Sequence, residues 1–347
     1  MVNLSDYDYF LPKRLIANSP AEPRDYSRLF VYDTAKDEIH LDRFINLDQY
    51  LPEKTFLMLN DTKVLPARVE MLKENKTKVV VLFLVNEIVQ GKNYLLVKGL
   101  VDRKINLQDK IYFDREHSGL TVKQEKNIFT FQFNFSKEKL FFLLDQYGKM
   151  PLPLYIKDTP LSEKKLRNSY QTIFALNQGS AAAPTASLHF TDAVFSKLDQ
   201  KNISRFFTTL HVGLGTFAPI DENNLKEKKL HNEYYEVEKE QWKKALALRN
   251  KGYKLTAVGT TVVRTLETIG LTKKLNGETS IFIYPPFNFQ SVDCLVTNFH
   301  LPKSSLMLLI EAFLEHKKAK RKLVDLYQIA IKNHFRFYSF GDAMLLI

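Results

Sequence analysis

The sequence predicts an α/β protein in which a large sheet domain, with helices on its faces, is interrupted by a small antiparallel β-barrel. Three observations point there. Between residues 69 and 135, short β-rich runs follow one another with only polar turns of Gly, Asn or Asp between them. After residue 165, strand-like runs alternate with helical ones, the pattern of a sheet flanked by helices. A chain of 347 residues with 45% hydrophobic content is also long enough to bury about two cores. The large α/β domain is therefore expected over 1–65 and 150–347, and the inserted barrel over 66–149, with Pro66 and Pro151 at its borders.

Within the barrel, Lys78–Val85, Tyr94–Lys98, Lys110–Phe113, Leu120–Lys123 and Asn127–Phe133 read as five strands. β-branched and aromatic residues dominate them, and no helical period intervenes. The motifs Leu59–Arg68 and Gly148–Pro153 serve as the two connections to the large domain. Beyond residue 165, Asp192–Leu198 reads as a helix, Ser204–His211 as a strand, Lys239–Lys251 as a helix, Leu255–Gly259 as a strand and Thr260–Ile269 as a helix. Ser304 or Ser305 is placed to cap a helix through Leu306–Phe313, with Pro302 just outside it. A last helix over Leu323–Asn333 precedes the aromatic tail Phe335–Asp342.

Composition narrows the class. The chain has 26 Phe and 16 Tyr but only 12 Gly and 13 Pro, which excludes a disordered or fibrous protein. Its one cysteine, Cys294, rules out an intramolecular disulfide and a Cys-based zinc cluster, and favours the cytoplasm. No basic, apolar leader opens the sequence and no apolar run approaches about 18 residues, so neither an export signal nor a membrane span is expected. Fifty Lys and Arg against 39 Asp and Glu leave a formal charge of +11, which makes nucleic acid a natural partner. Solvated Lys-rich faces carry the same charge, and the runs Lys226–Lys229 and Lys317–Lys322 by themselves nominate no RNA surface.

Four stretches carry small residues beside a His or Arg: Gly179–Thr191 with Ala183, Pro184, Thr185 and His189; Leu210–Phe217 with His211; Val258–Arg264; and Thr297–Lys303 with Asn298 and His300. At Val258-Gly-Thr-Thr261 a strand turns through Gly259 straight into a helix, whose free N–H groups favour a carboxylate or phosphate. Arg264 and Glu267 lie three apart on that helix and are spaced to pair with each other. Gly213–Ala218 matches the G-x-G-x-x-A dinucleotide pattern, but Pro219 follows at once and no helical period does, so it reads as a decoy. Neutral imidazoles suit proton transfer. No H-x-x-x-H or H-E-x-x-H spacing for a metal, no G-x-S-x-G elbow and no P-loop occurs.

Together these strings resemble one family, the S-adenosylmethionine:tRNA ribosyltransferase-isomerases of queuosine synthesis. The resemblance rests on Asp6–Tyr9 with Leu11-Pro12, Arg24 to Arg28, Asn60-Asp-Thr-Lys63 with Pro66-Ala-Arg68, Gly148–Pro153 and Tyr170-Gln171. It continues through Ala182–Ala186, Leu188–Thr191, Leu210–Phe217, Val258–Thr261, Arg264–Glu267, Thr297–Pro302, Arg336-Phe337 and Ser339–Met344, from one end of the chain to the other.

The resemblance implies transfer and isomerisation of the ribosyl part of S-adenosylmethionine onto the aminomethyl group of a 7-deazaguanine base at the tRNA wobble position. Epoxyqueuosine would form in the tRNA, with adenine and methionine released. On that footing His189 and His211, with Asp342 as a third, are the expected proton-transfer groups. Gly259, Thr260, Thr261 and Arg264, with Ala183, Pro184 and Thr185, are expected to hold S-adenosylmethionine. Asn298 and His300 are assigned to the modified base or its ribose, and Arg24, Arg28, Lys63 and Arg68 to the RNA backbone. The expected partner is a tRNA anticodon stem-loop, engaged by a cytoplasmic monomer; S-adenosylmethionine is consumed as co-substrate and no metal or redox cofactor is implied. Two other classes remain open: an RNA-binding protein without catalysis, which would release no adenine, and a methyltransferase, which would release S-adenosylhomocysteine.

Overall fold

A computed structural model of the chain describes residues 3–153, 155–156, 158–213, 220 and 222–347. Its larger part is a nine-stranded mixed sheet. The strands lie in the order Asn276–Ile281, Lys229–Glu236, Ser204–Leu210, Thr55–Asn60, Lys254–Val258, Cys294–Asn298, Ala343–Leu346, Arg28–Asp33, Glu38–Arg43. Ser204–Leu210, Thr55–Asn60, Lys254–Val258 and Cys294–Asn298 run parallel to one another, and every residue of Thr55–Asn60 and Cys294–Asn298 is buried. Full burial is what a parallel strand covered on both faces requires.

Side chains alternate between the two faces of this sheet with the strand period of two. Phe30, Tyr32, Phe56, Met58, Leu295, Met344 and Leu346 point to one core, with the helices Thr260–Thr272, Ser305–His316 and Leu323–Lys332 packed over them. Leu29, Val31, Leu57, Leu59, Val296, Ala343 and Leu345 point to the other, under the helix Asp192–Gln200. The strand Ala343–Leu346 threads between Cys294–Asn298, to which it is antiparallel, and Arg28–Asp33, to which it is parallel.

The five helices expected from the sequence stand where it places them, and Ser304 is the cap, its Oγ accepting the Met307 N–H at 3.4 Å; Lys137–Tyr147 and Glu163–Ser169 are helices it did not announce. Strands at Arg28–Asp33, Glu38–Arg43, Thr55–Asn60, Lys229–Glu236, Asn276–Ile281, Cys294–Asn298 and Ala343–Leu346 join the sheet without having been expected. Continuous apolar runs such as Phe56-Leu-Met-Leu59 carry no period by which a buried strand is told from a buried helix.

The barrel holds six strands rather than five. Arg68–Lys73 is the additional one, and it closes the barrel by pairing with both Lys78–Gln90 and Lys110–Tyr112. Val69 and Met71 point inward there, with Glu70 between them exposed. Phe83, Phe131 and Phe133 fill the interior, and the helix Lys137–Tyr147, capped by Ser136, plugs it with Leu140, Leu143 and Leu144. The chain then returns through Gly148-Lys149, paired to Val69 and Arg68.

An aromatic block ties the N-terminal segment to the sheet. Phe30 and Phe335 meet edge to face at 5.6 Å, Phe30 and Phe299 at 6.1 Å, and Tyr9 and Tyr327 at 5.3 Å. Emptying it is expected to be costly: Phe30→Ala should lower unfolding free energy by about 3–5 kcal/mol, read from denaturant midpoints. A loss under about 1 kcal/mol would show that the block does not hold the sheet.

Candidate active site

At the C-terminal ends of Lys254–Val258 and Cys294–Asn298 the sheet opens into a cleft of about 690 Å³, counting open solvent at its mouth. This is where ligands gather in open α/β sheets. Thr185, Thr260, Thr261, Thr297, Ser304, Ser339, Tyr155 and Tyr338 supply hydroxyls, Asn298 an amide and His300 an imidazole, while Ala183, Pro184, Ala186, Val212, Phe299 and Leu306 are among its apolar walls. Among the described residues that line it there is no Asp, Glu, Lys or Arg.

One wall is the start of the helix Thr260–Thr272. Gly259 leads into it at φ 95°, a conformation an L side chain adopts only with strain, and no side chain caps the helix. The first turn therefore presents N–H groups and roughly half a positive charge of helix dipole to the cleft. Asn60, buried at the end of the adjacent strand, fixes this corner: its amide reaches Thr261 Oγ1 at 3.3 Å and the Leu210 carbonyl at 3.1 Å, and its oxygen accepts from Leu210 and Thr62.

A second wall is the Asn298 network. Asn298 Oδ1 accepts the Thr185 hydroxyl at 2.8 Å, and its amide donates to His189 Nε2 at 3.2 Å. That leaves the His189 proton on Nδ1, donated to Ser27 Oγ at 2.8 Å. His189 is buried behind Asn298 against Phe44 and does not line the cleft. Burial, reinforced by the charge of Arg336, pushes its pKa down to about 3.

His211 also faces away. With Val212 in the cleft, the His211 ring turns to Thr62, whose Oγ1 lies 2.9 Å from Nδ1, and packs against Tyr234 and Gly179. A Cβ on Gly179 would sit 2.8 Å from the ring, so only glycine fits there. Burial pushes the His211 pKa down to about 4. Asp342 is spoken for: its carboxylate accepts from the Arg336 guanidinium at 3.0 and 3.2 Å, from the Arg336 N–H at 2.8 Å and from the Arg28 N–H at 3.1 Å.

Arg264 pairs with Glu233, not with Glu267, and lines a small cavity one helical turn behind the cleft. Glu267 instead accepts the N–H groups of Gln290 and Ser291 at 2.9 and 3.0 Å. Glu233 also holds the Gly213 N–H at 2.8 Å; the rest of the Gly213–Ala218 stretch lies outside the described residues.

The four cations assigned to RNA divide. Arg24 donates to the carbonyls of Gln171, at 2.6 Å, and Asn168, closing the end of the helix Glu163–Ser169. Arg28 donates to the Asn333 carbonyl and stacks 4.0 Å over Phe335. Both guanidiniums brace the fold, and Arg24 also lines the groove beside the barrel. Lys63 lines an open groove between the barrel helix and the large domain, with Pro66, Phe141 and Gln178, and Arg68 starts the barrel strand two residues past Pro66. Tyr155 and Tyr338, whose rings meet at 4.7 Å over the cleft, and the Ser339 hydroxyl 2.5 Å from Tyr155 Oη were not singled out from the sequence. Ser339 stood inside a matched motif; Tyr155 had no local signal.

The model of the queuosine biosynthesis protein family matches residues 4–346. The chain belongs to that family. Curated members similar to it include the S-adenosylmethionine:tRNA ribosyltransferase-isomerases of Thermosipho melanesiensis, 43% identical over 99% of this chain and 100% of the relative, and of Carboxydothermus hydrogenoformans, 42% identical over the full length of both. The crystal structure of the S-adenosylmethionine tRNA ribosyltransferase from Thermotoga maritima is 31% identical and aligns over 99% of this chain and 100% of that one, with a TM-score of 0.55. The family match thus covers the barrel, the sheet and the cleft together. Among the described residues no helix is long and apolar enough to cross a membrane.

His300, with a pKa pushed to about 3 by burial, joins His189 and His211 as a neutral imidazole. In the unfolded chain each protonates near pH 6.5, so below that pH the unfolded state binds the extra protons and stability falls as pH drops toward 4. Each histidine contributes about 1.4 kcal/mol per pH unit in that window. Denaturant unfolding at pH 6.5, 5.5 and 4.5 should show the decline, and His189→Gln should make it shallower by one histidine's share; an unchanged slope would mean that His189 titrates normally.

Proposed function

We propose that the chain transfers and isomerises the ribosyl part of S-adenosylmethionine onto the aminomethyl group of 7-aminomethyl-7-deazaguanine at the wobble position of tRNA. Epoxyqueuosine forms, and adenine and methionine leave. Full-length family membership supports the reaction class. The observation that carries the reading is the cleft itself: hydroxyl-rich, free of charged side chains among its described residues, and bounded by an uncapped helix start.

S-adenosylmethionine brings a sulfonium, an ammonium and a carboxylate, and oriented dipoles can serve groups of either sign. The N–H groups at Thr260 and Thr261 and their hydroxyls receive the carboxylate. Thr185 and Asn298, locked by His189, present oriented polar groups to the ribose, and Tyr155 and Tyr338 offer aromatic faces to a base. Arg264 acts from behind, holding the Glu233 side of the cleft. Lys63 and Arg24, which line the groove, and Arg68, at the start of the barrel strand beside it, are the cations for RNA phosphates, where the anticodon loop would lie.

Incubating the purified protein with S-adenosylmethionine and tRNA bearing the aminomethyl base is expected to release adenine and methionine, with a ribosyl-sized mass gain in the RNA. Release of S-adenosylhomocysteine, or RNA binding with no product, would overturn the reading. Affinity for that tRNA should fall with salt on a log–log slope of about −0.7 per phosphate neutralised, and Lys63→Ala and Arg68→Ala should each make the slope shallower by about 0.7. Variants with the parental slope would remove these residues from the RNA face.

A further inference from the structure

The motif histidines are alike in sequence, but only one of them opens on the cleft. His300 lines it; His189 and His211 do not. His189 has both ring nitrogens engaged, by Ser27 and by the Asn298 amide, so its lone pair is taken. His211 is turned to Thr62 and pressed against Gly179.

His300 is held by its backbone. Its N–H donates to Tyr327 Oη at 3.0 Å and its carbonyl accepts from Tyr9 Oη, both tyrosines belonging to the aromatic block. The side chain touches Thr297 Oγ1 through Nε2 at 2.9 Å, and Nδ1 has no hydrogen-bond partner among the described residues. A ring anchored by its main chain, with one nitrogen tied and the other unengaged, is preorganised for proton transfer.

Nothing else described in the cleft competes for that role. The other titratable side chains there are Tyr155 and Tyr338, and both are held as phenols: burial pushes Tyr155 up to about 12 and raises Tyr338 as well. Burial also keeps the His300 imidazole neutral at physiological pH, which is the accepting form.

We infer that His300 is the proton acceptor of the reaction proposed above, taking the proton from the carbon bonded to the sulfonium sulfur of S-adenosylmethionine. The C–H bond breaks, its electron pair stays on the carbon beside the positive sulfur, and the proton becomes the second N–H of an imidazolium. That imidazolium then supplies the proton with which adenine leaves as the neutral base, which returns His300 to its starting form. The inference rests on the reaction reading, so wild-type turnover is measured first.

His300→Gln keeps a group able to reach Thr297 and removes the titratable ring. Single-turnover adenine release should fall about 10²- to 10⁴-fold, while the dissociation constant for S-adenosylmethionine, by calorimetry, stays within a few-fold. His40→Gln, on the exposed edge strand, should match wild type. His300→Gly should recover part of its rate when imidazole is added, a response that a merely structural histidine does not give. Wild-type protein that releases no adenine would sink the reaction reading and this inference with it. Normal wild-type turnover with His300→Gln within a few-fold of it, or a folded His300→Gly variant that imidazole does not rescue, would overturn the assignment of His300 alone.

Discussion

Phe299 is the residue on which the cleft's geometry depends. Its ring is wedged among Phe30, Tyr327, Phe335 and Phe337 at centroid distances of 4.7 to 6.1 Å, and its carbonyl accepts the Tyr338 N–H at 3.0 Å. With that side chain sunk in the core, its neighbours go elsewhere: Asn298 joins the His189 network and His300 opens on the cleft. Tyr338, bonded to Phe299 and held at φ 71°, brings its ring over the same space. Close-packed apolar cores have few alternative arrangements, so polar groups anchored to one are aimed without reorganisation.

The absence of charge from the described lining follows from what charge costs. An isolated ion without a partner is expensive to desolvate. Helix N–H groups, hydroxyls and a neutral imidazole avoid that cost. The charged side chains near the cleft are placed behind its walls in pairs: Arg264 with Glu233, and Arg336 with Asp342. In those pairs they brace the Gly213 backbone N–H and the strand starting at Arg28.

The motif Asn60-Asp-Thr-Lys63 shows how much work four adjacent residues divide. Asn60 fixes the helix corner, Asp61 accepts from Thr209 at 2.7 Å and from Asn177, Thr62 orients His211, and Lys63 reaches the groove beside the barrel. The motif was legible as important from its residues. Its division of labour was not, because, apart from the Thr62 N–H on Asn60, the partners lie more than a hundred residues away or across the domain junction.

From the order of residues alone follow the two-part architecture, the helices with their caps, the turn at Gly259 and the family. These are written in local period, in glycine and serine positions and in contiguous motifs, which need no distant partner to be read. The roles of individual side chains are another matter. Arg24 and Arg28 read alike in sequence, but the first braces the carbonyls of Asn168 and Gln171 at the edge of the groove and the second the carbonyl of Asn333. Asp342 looks free until Arg336 folds onto it. His189, His211 and His300 are equivalent as letters, and long-range contacts turn the first two inward and leave the third on the cleft. A side chain's direction depends on which strand lies next to its own, and in this sheet Ala343–Leu346 sits beside Arg28–Asp33 from the far end of the chain, a pairing that no local pattern encodes.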